Sequence, residues 1–517
     1  MRTAIIADVI PCFDKMRTRR FALLTALLAL ACGLFATEPN DATRRWWSHV
    51  QALAGDDLQG RDTGSEGYRK AAAYVVQQLA RAGVKPAGEN GWYQSVPLRV
   101  VRFRADQSEI ALAGANGVTS LRWLHQVSVP ARINTPEAID AGLVLDGAVG
   151  GEKIDVKGKI LVRLGAIGGA GRRGGGQTPA GIAGILTIDG SGGPEPPRWP
   201  VAYSVAMTLA DAPAAPDAAL ALRFNPTAAD QLFAGSEHTY AELRALQAAG
   251  KPLPRFQLAT TLRARLKFES AELKCDNLIG VLPGSDAELS NEYVVVSAHL
   301  DGYGVGEPWN GDRIYNGAFD DAAYVATLID LAQKLHTAGR SLKRSLLFAV
   351  VTGEEKGLLG SRYYVAHPTV PKERMVANIN LDQLRPIFPL KTLTTLALDD
   401  STLGDTVRKV AEPMGIRIQP DPEPERNLLR RSDHWNFMQI GVPAVGFIFG
   451  YQNGSPEEAI YRRWYLERYH SPADDLKQPW DPAAAAKFND FFGNLVESLA
   501  NAAERPRWKP GSPYAPK

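Results

Sequence analysis

Val294-Val295-Val296-Ser297-Ala298-His299-Leu300-Asp301 is the stretch that decides the fold. A short β-branched run of this kind reads as a buried strand. His299 and Asp301 then fall just past its carboxyl end, where open α/β sheets bind ligands. The pattern returns downstream. Ser345-Leu346-Leu347-Phe348-Ala349-Val350-Val351 runs through Thr352-Gly353 into Glu354-Glu355, and Val376-Ala377-Asn378-Ile379-Asn380-Leu381 runs into Asp382. Between the first two strands, Asn316-Gly317-Ala318-Phe319-Asp320-Asp321 opens an apolar helical stretch from Ala322 to Leu335. A helix start favours carboxylates. Much later, Tyr469-His470-Ser471-Pro472-Ala473-Asp474-Asp475 reads as a proline-held loop.

Taken singly, each piece has a plain explanation. His-x-Asp is usually a surface or packed pair, Glu-Glu is usually solvated, and two aspartates at a helix start usually cap it. Together, each falling where a strand ends or a helix begins, they predict a metal site. Imidazole and carboxylate suit zinc, with manganese or cobalt able to substitute, and three protein ligands per ion leave a position for water. Two ions about 3.5–4 Å apart can share a bridging carboxylate and clamp one attacking water. Five ligands then suffice, and a sixth carboxylate, kept off the ions, takes the proton from that water. Adjacent Glu354 and Glu355 fit these two jobs, because neighbouring side chains point in different directions.

His299-x-Asp301, Gly317-Ala318-x-Asp320-Asp321, Glu354-Glu355, Asp382 and Tyr469-His470 resemble, in order and spacing, the co-catalytic di-zinc aminopeptidase family, which includes leucyl aminopeptidases, aminopeptidase Y and glutamate carboxypeptidase. The resemblance covers nearly the whole chain after its leader, with Gly60-Arg61 and Tyr93-Gln94 in the family's opening segment. It implies two zinc ions per chain. Asp320 would bridge them, His299 and Asp382 would complete one site, and Glu355 and His470 the other. Glu354 would be the general base and then the acid, Asp301 would orient His299, and Tyr469 would stabilise the oxyanion. A cis peptide between Asp320 and Asp321 is also implied. One departure is mild: where the family often has a small polar residue and glycine, this chain has Ala322-Ala323-Tyr324, none of them a ligand.

The implied activity is hydrolysis of the N-terminal peptide bond of a peptide, releasing an apolar residue. Two readings compete with it. Arg430 and Arg431 could receive a substrate carboxylate, as in a related zinc carboxypeptidase or dipeptidase, although a solvated pair is the commoner outcome. A receptor-like relative that only binds is disfavoured by the intact set of ligands and base. Ser432-Asp433-His434 is not a serine triad, since consecutive residues cannot converge as a triad must, but His434 is a candidate to line the substrate pocket. His49, His125, His238, His336 and His367 carry no partner pattern and read as structural or exposed.

The rest of the chain sets the frame. It has 517 residues and a formal charge of +2, which gives no support for nucleic-acid binding or a basic membrane-surface role. Met16-Arg17-Thr18-Arg19-Arg20 followed by the apolar run Phe21–Ala36 reads as a signal peptide over residues 1–36, too short for a comfortable membrane span. Export to a periplasm or the outside follows. Leu30-Ala31-Cys32 suggests a lipid anchor at Cys32, but fits poorly because Ala29 stands three positions before it. Of three cysteines, Cys12 and Cys32 fall in the leader. Cys275 alone remains, which excludes an internal disulfide and a cysteine-based zinc site.

Helical spacing over residues 46–85 places a helix at Tyr68–Ala82 behind a glycine-broken loop, Leu58–Ser65, read as a capping turn. From residue 98 to 270 short alternating segments such as Glu109–Leu112, Gly142–Leu145 and Lys159–Leu164 read as a mostly β insertion. Asp155–Val162 and Ala180–Leu186 within it resemble the protease-associated domain, which implies an accessory role. Gly169-Ala170-Gly171-Arg172-Arg173-Gly174 matches a dinucleotide fingerprint but opens no helix, since Gly175, Gly176 and Pro179 follow, so it reads as a loop. Residues 191–200, rich in proline, read as another loop. The expected architecture is an α/β catalytic domain over residues 37–97 and 271–517, with a mixed, twisted central sheet, helices on both faces and the β-rich insertion at 98–270.

Overall fold

The computed structural model describes residues 39–115, 117–129, 135–149, 154–166, 179–190, 195, 197–213, 219–383 and 385–516. The leader, Cys12, Cys32, the loop at 169–174 and residues 191–194 and 196 of the proline-rich loop lie outside them.

A ten-stranded mixed sheet forms the centre of the fold. The Tyr293–His299 strand lies between Ser345–Val351 and Met375–Asn380, parallel to both, and Met375–Asn380 runs parallel to Ala444–Phe449. Antiparallel neighbours extend the sheet on either side: Phe268–Leu282 and Tyr93–Phe103 on one, Thr392–Leu396 on the other. The valine run is buried throughout because both faces are covered. Val294 and Val296 point into the larger core with the Ala323–Thr337 helix, while Val295 points the other way, towards Tyr364 and Phe437. Each valine so buried contributes about 1.5–3 kcal/mol.

The helices follow their sequence signals. Asp41–Leu53 is capped by the Asn40 side chain, which accepts from Thr43 N at 2.8 Å. Glu66–Arg81, expected at Tyr68–Ala82, starts on Ser65, whose hydroxyl accepts from Tyr68 N at 3.1 Å. The loop before it does cap, with Gln59, Gly60 and Arg61 all at positive φ. Trp46, fully buried, ties the first helix to the sheet's covering layer by donating to Ala323 O and Thr327 Oγ1, both at 3.1 Å.

A second sheet of eight strands, drawn from residues 109–265, has its own core built from Leu143, Val162, Leu186, Phe224 and Leu262. The expected segments appear here as Glu109–Gly114, Ala138–Leu145 and Ile160–Leu164. The chain between residues 98 and 270 does not stay in this sheet. Val205–Leu209 crosses back to pair antiparallel with Tyr93–Phe103 at the edge of the large sheet. Residues just before that strand are thereby carried to the mouth of the site. Among the described residues no helix is long and apolar enough to cross a membrane.

Candidate metal centre

Three parallel strands deliver the site. Tyr293–His299 ends on His299, the turn at Gly353 follows Ser345–Val351 and presents Glu354 and Glu355, and Asp382 stands two residues past Met375–Asn380. Asp320 and Asp321 lie just before the Ala323–Thr337 helix, joined by a cis peptide. Gly317 makes room for that turn: its φ is +59°, and a Cβ there would lie 2.3 Å from the Asp320 carbonyl oxygen. His470 arrives from the far end of the chain, after the Pro456–Glu467 helix.

Five side chains spread over more than 170 residues of the chain converge in two overlapping groups. His299, Asp320 and Asp382 form one and Asp320, Glu355 and His470 the other, the ligand atoms of each lying within 4.8 Å of one another. His299 Nε2 is 3.3 Å from Asp320 Oδ1 and 3.8 Å from Asp382 Oδ1. His470 Nε2 is 3.4 Å from Asp320 Oδ2 and 3.3 Å from Glu355 Oε2. Two groups each about 2.0–2.2 Å from one tetrahedral ion stand about 3.3–3.6 Å apart. His299 Nε2, Asp320 Oδ2 and Asp382 Oδ1 are buried and complete no hydrogen bond of normal geometry. Buried polar atoms left bare in this way are costly unless something binds them. The donor set therefore fits two divalent cations sharing Asp320.

Surrounding groups fix these side chains. His299 Nδ1 donates to the Asp301 carbonyl oxygen at 3.0 Å, which leaves Nε2 bare and facing Asp320. This refines the role expected of Asp301: its main chain, not its carboxylate, holds the imidazole. The carboxylate accepts instead from Glu354 N at 3.0 Å and Thr63 Oγ1 at 3.1 Å, and so places the Glu354 backbone. His470 Nδ1 meets the Tyr303 hydroxyl at 2.9 Å. Asp474 accepts from Phe319 N and Asp320 N, at 3.0 and 3.1 Å, and from Gln478 at 2.5 Å, clamping the turn that carries Asp320. Arg61, fully buried, donates to the carbonyls of Leu300, Asn316, Gly317 and Leu53 beneath the site. Lys356 is buried between the Tyr203 and Tyr303 rings and pairs with Asp62 at 3.1 Å.

The electrostatics are those of a crowded acidic pocket. Burial, with Asp382 and Glu355 adding to it against His299, pushes Glu354 well above the usual carboxylate range. Burial and Asp320 lift Glu355 to about 7 against the pull of His470. Asp320 goes the other way despite its burial, because His299 and His470 both bond to it. Burial also lifts Asp474 and Asp433 to about 7. Glu354 stands beside the first group, its Oε2 4.0 Å from His299 Nε2, and belongs to neither.

The site opens into a cavity of about 720 Å³. Leu396, Leu428 and Ile448 give its lining an apolar part, and His434 lines it as the sequence suggested. Burial holds His434 down at about 4, so its imidazole is neutral. Tyr469 stacks on His470 with ring centres 3.6 Å apart, and its hydroxyl accepts from Arg431 at 3.3 Å. Arg430 and Arg431 both line the cavity, Arg431 paired with Glu195 at 2.9 Å and Arg430 lying over Trp435. Asp433 bonds Ser361, and Ser432 bonds Asn380, so the Ser-Asp-His run forms no triad. His49, His125, His238, His336 and His367 do not line the cavity. Sequence reasoning missed the roles of Tyr303, Lys356, Asp433 and Asp474. Their neighbours in sequence were flagged, but nothing local marks a side chain whose partner lies far along the chain.

The profile of peptidase family M28 matches residues 277–496, which carry all five converging residues. Over this segment, well under half of its length, the chain is similar to peptidase family M28. Leupeptin-inactivating enzyme 1 of Streptomyces exfoliatus is 27% identical over 232 residues, 43% of this chain and 48% of that protein. Aminopeptidase YwaD of Bacillus subtilis is 25% identical over 205 residues, 39% of this chain and 40% of that protein. The chain thus spans about half the length, or less, of these curated relatives. Among solved structures, an aminopeptidase from Aneurinibacillus sp. strain AM-1 superposes with a TM-score of 0.58 at 18% identity, over 90% of this chain and 95% of that one. A zinc aminopeptidase from Bacillus subtilis gives 0.55 at 17%, over 90% and 96%. At such identities the likeness is one of fold: an α/β architecture with a mixed sheet flanked by helices.

Proposed function

We propose that this chain is an exported two-zinc aminopeptidase that removes apolar N-terminal residues from peptides. The observation that carries the reading is the pair of donor groups sharing Asp320, set at the base of a cavity with a carboxylate, Glu354, beside them and outside both. On this reading His299, Asp320 and Asp382 hold one ion and Asp320, Glu355 and His470 the other. Bound zinc supplies an activated water and charge opposite a developing oxyanion.

The chain's own residues do the rest. Glu354 takes the proton from the attacking water and returns it to the leaving amine. Asp301 holds the Glu354 main chain at working distance, and Tyr303 holds His470. The Tyr469 hydroxyl, polarised by Arg431, faces the oxyanion. The free amine of the substrate sits against the acidic cluster, and its side chain enters the apolar part of the cavity at Leu396, Leu428 and Ile448. The leader at residues 1–36 directs export, and the second sheet acts as a protease-associated module that shapes access.

The test is hydrolysis of aminoacyl fluorogenic substrates by purified protein, with and without chelator, and of one peptide in free and N-acetylated form. Hydrolysis that is abolished by chelator, restored by zinc and blocked by acetylation is expected. Turnover of the acetylated peptide at the free peptide's rate would favour the carboxypeptidase or dipeptidase reading instead.

A further inference from the structure

Beside the main cavity lies a second one of about 260 Å³. The two meet at Tyr303, Tyr469, His470 and Arg431. None of Leu396, Leu428, Phe447 and Ile448 reaches the second. A substrate whose first side chain fills the apolar part of the main cavity therefore extends its remainder past His470 towards this space. The volume is near the lower end for small-ligand sites, about 300–1,000 Å³, and suits a single residue.

Its wall is cationic. Arg198, Arg223 and Arg431 line it, against one lining carboxylate, Glu195. Glu195 is already shared between Arg431 and Arg426. Arg223 is matched by Asp189 at 2.6 Å. Arg198 is not matched by any carboxylate among the described residues. It lies over the Trp309 ring, 4.2 Å from its centre, and donates to the main-chain carbonyls of Tyr465 and Leu466 at 3.2 and 3.1 Å. Burial lowers it to about 10, the direction expected of a desolvated cation with no anion beside it. A guanidinium held rigid by a ring and two carbonyls, facing a cavity with a surplus of positive charge, is arranged to take a planar anion.

We propose that this cavity is a subsite for a carboxylate on the leaving-group side of the scissile bond, with Arg198 as its specificity-determining residue. The carboxylate comes from one of two sources: the free C-terminus of a dipeptide, or an acidic second residue in a longer peptide. The inference rests on the aminopeptidase reading above and narrows its substrate class. It also gives the stretch before Val205–Leu209 a task, since that crossing is what brings Arg198 to the site.

The experiment compares kcat/KM of the zinc-loaded full chain on leucyl-glycine and leucyl-glycinamide, and on leucyl-glutamyl amide and leucyl-glutaminyl amide. The expected result is an acid-over-amide ratio of about tenfold or more in at least one pair, the scale of one charge-assisted hydrogen bond. The first pair reports a C-terminal carboxylate and the second an acidic side chain. In Arg198→Met the ratio falls towards one, mainly through KM, while Arg198→Lys keeps part of it. Ratios near one in the unaltered enzyme, or a ratio that survives Arg198→Met, overturn the subsite. If Arg198→Met does not fold, the unaltered enzyme and Arg198→Lys still decide. Leucinamide separates the two readings: its hydrolysis with ratios near one removes the subsite alone, whereas no hydrolysis of any of these substrates removes the aminopeptidase assignment and the subsite with it.

Discussion

Glu354 and Glu355 are adjacent in sequence and similarly buried, yet their surroundings give them different work. Glu355 reaches His470 at 3.3 Å, while Glu354 stands apart with only its main chain tied to Asp301. Glu354→Gln should therefore retain two zinc ions per chain, read by atomic emission, while kcat falls by about 10²–10⁴, the usual contribution of a general base. Asp382→Asn should instead lower the metal content. Tyr303 makes a subtler case, because it touches His470, a proposed ligand, and belongs to neither donor group. Tyr303→Phe removes the hydroxyl on His470 Nδ1 and should weaken the binding of one of the two ions by about 10–100-fold, measured by competition with a chromogenic chelator. Equal loss at both ions, or at neither, would count against Tyr303 as the group that orients His470.

At the scale of elements, the site depends on loops being held to strand ends. Arg61 does this most directly, since its guanidinium donates to four main-chain carbonyls, two of them in the Asn316–Gly317 turn and one at Leu300. Arg61→Met would leave those buried acceptors bare, each such loss being worth about 1–3 kcal/mol. The expected outcome is a stability loss of more than about 3 kcal/mol in denaturant melts. Zinc content should fall with it as the turn relaxes. The strands carrying His299, Glu354, Glu355 and Asp382 were legible because a strand buried on both faces is written as an unbroken apolar run. The clamps on them were not. Arg61 with Leu300, Asp474 with Asp320 and Tyr303 with His470 are separated by more than 150 residues, and no local pattern connects them.

For the whole molecule, two ions held as proposed should act as a staple between the strand ends at residues 299–382 and the loop that carries His470. Chelation should lower Tm in a way that depends on zinc concentration, since an ion bound only by the folded state stabilises it by mass action, about 2.7 kcal/mol at a hundred times Kd. Glu195 is a second link, tying the middle of the chain to Arg426 and Arg431 near the site. Burial would raise Glu195, but the two guanidinia hold it below the usual carboxylate range. A carboxylate depressed in the folded state adds stability that is fully present above its ordinary value, about 4.3, and lost as pH falls through the folded value. Tm should then fall more steeply below about pH 4.3 in the unaltered protein than in Glu195→Gln, measured by scanning calorimetry across pH 3–6.

The sequence by itself determined the α/β class, the order of the segments that converge and the histidine and carboxylate types that suit zinc, because strand burial and helix starts are written locally. Only the tertiary structure decided which imidazole nitrogen is left bare, that Asp301 works through its main chain on His299 and its carboxylate on Glu354, and that Val205–Leu209 leaves the second sheet to bring Arg198 and Tyr203 to the site. Each of these depends on distances between parts of the chain far apart in sequence. Such distances are set by packing of the whole, which no window of residues records.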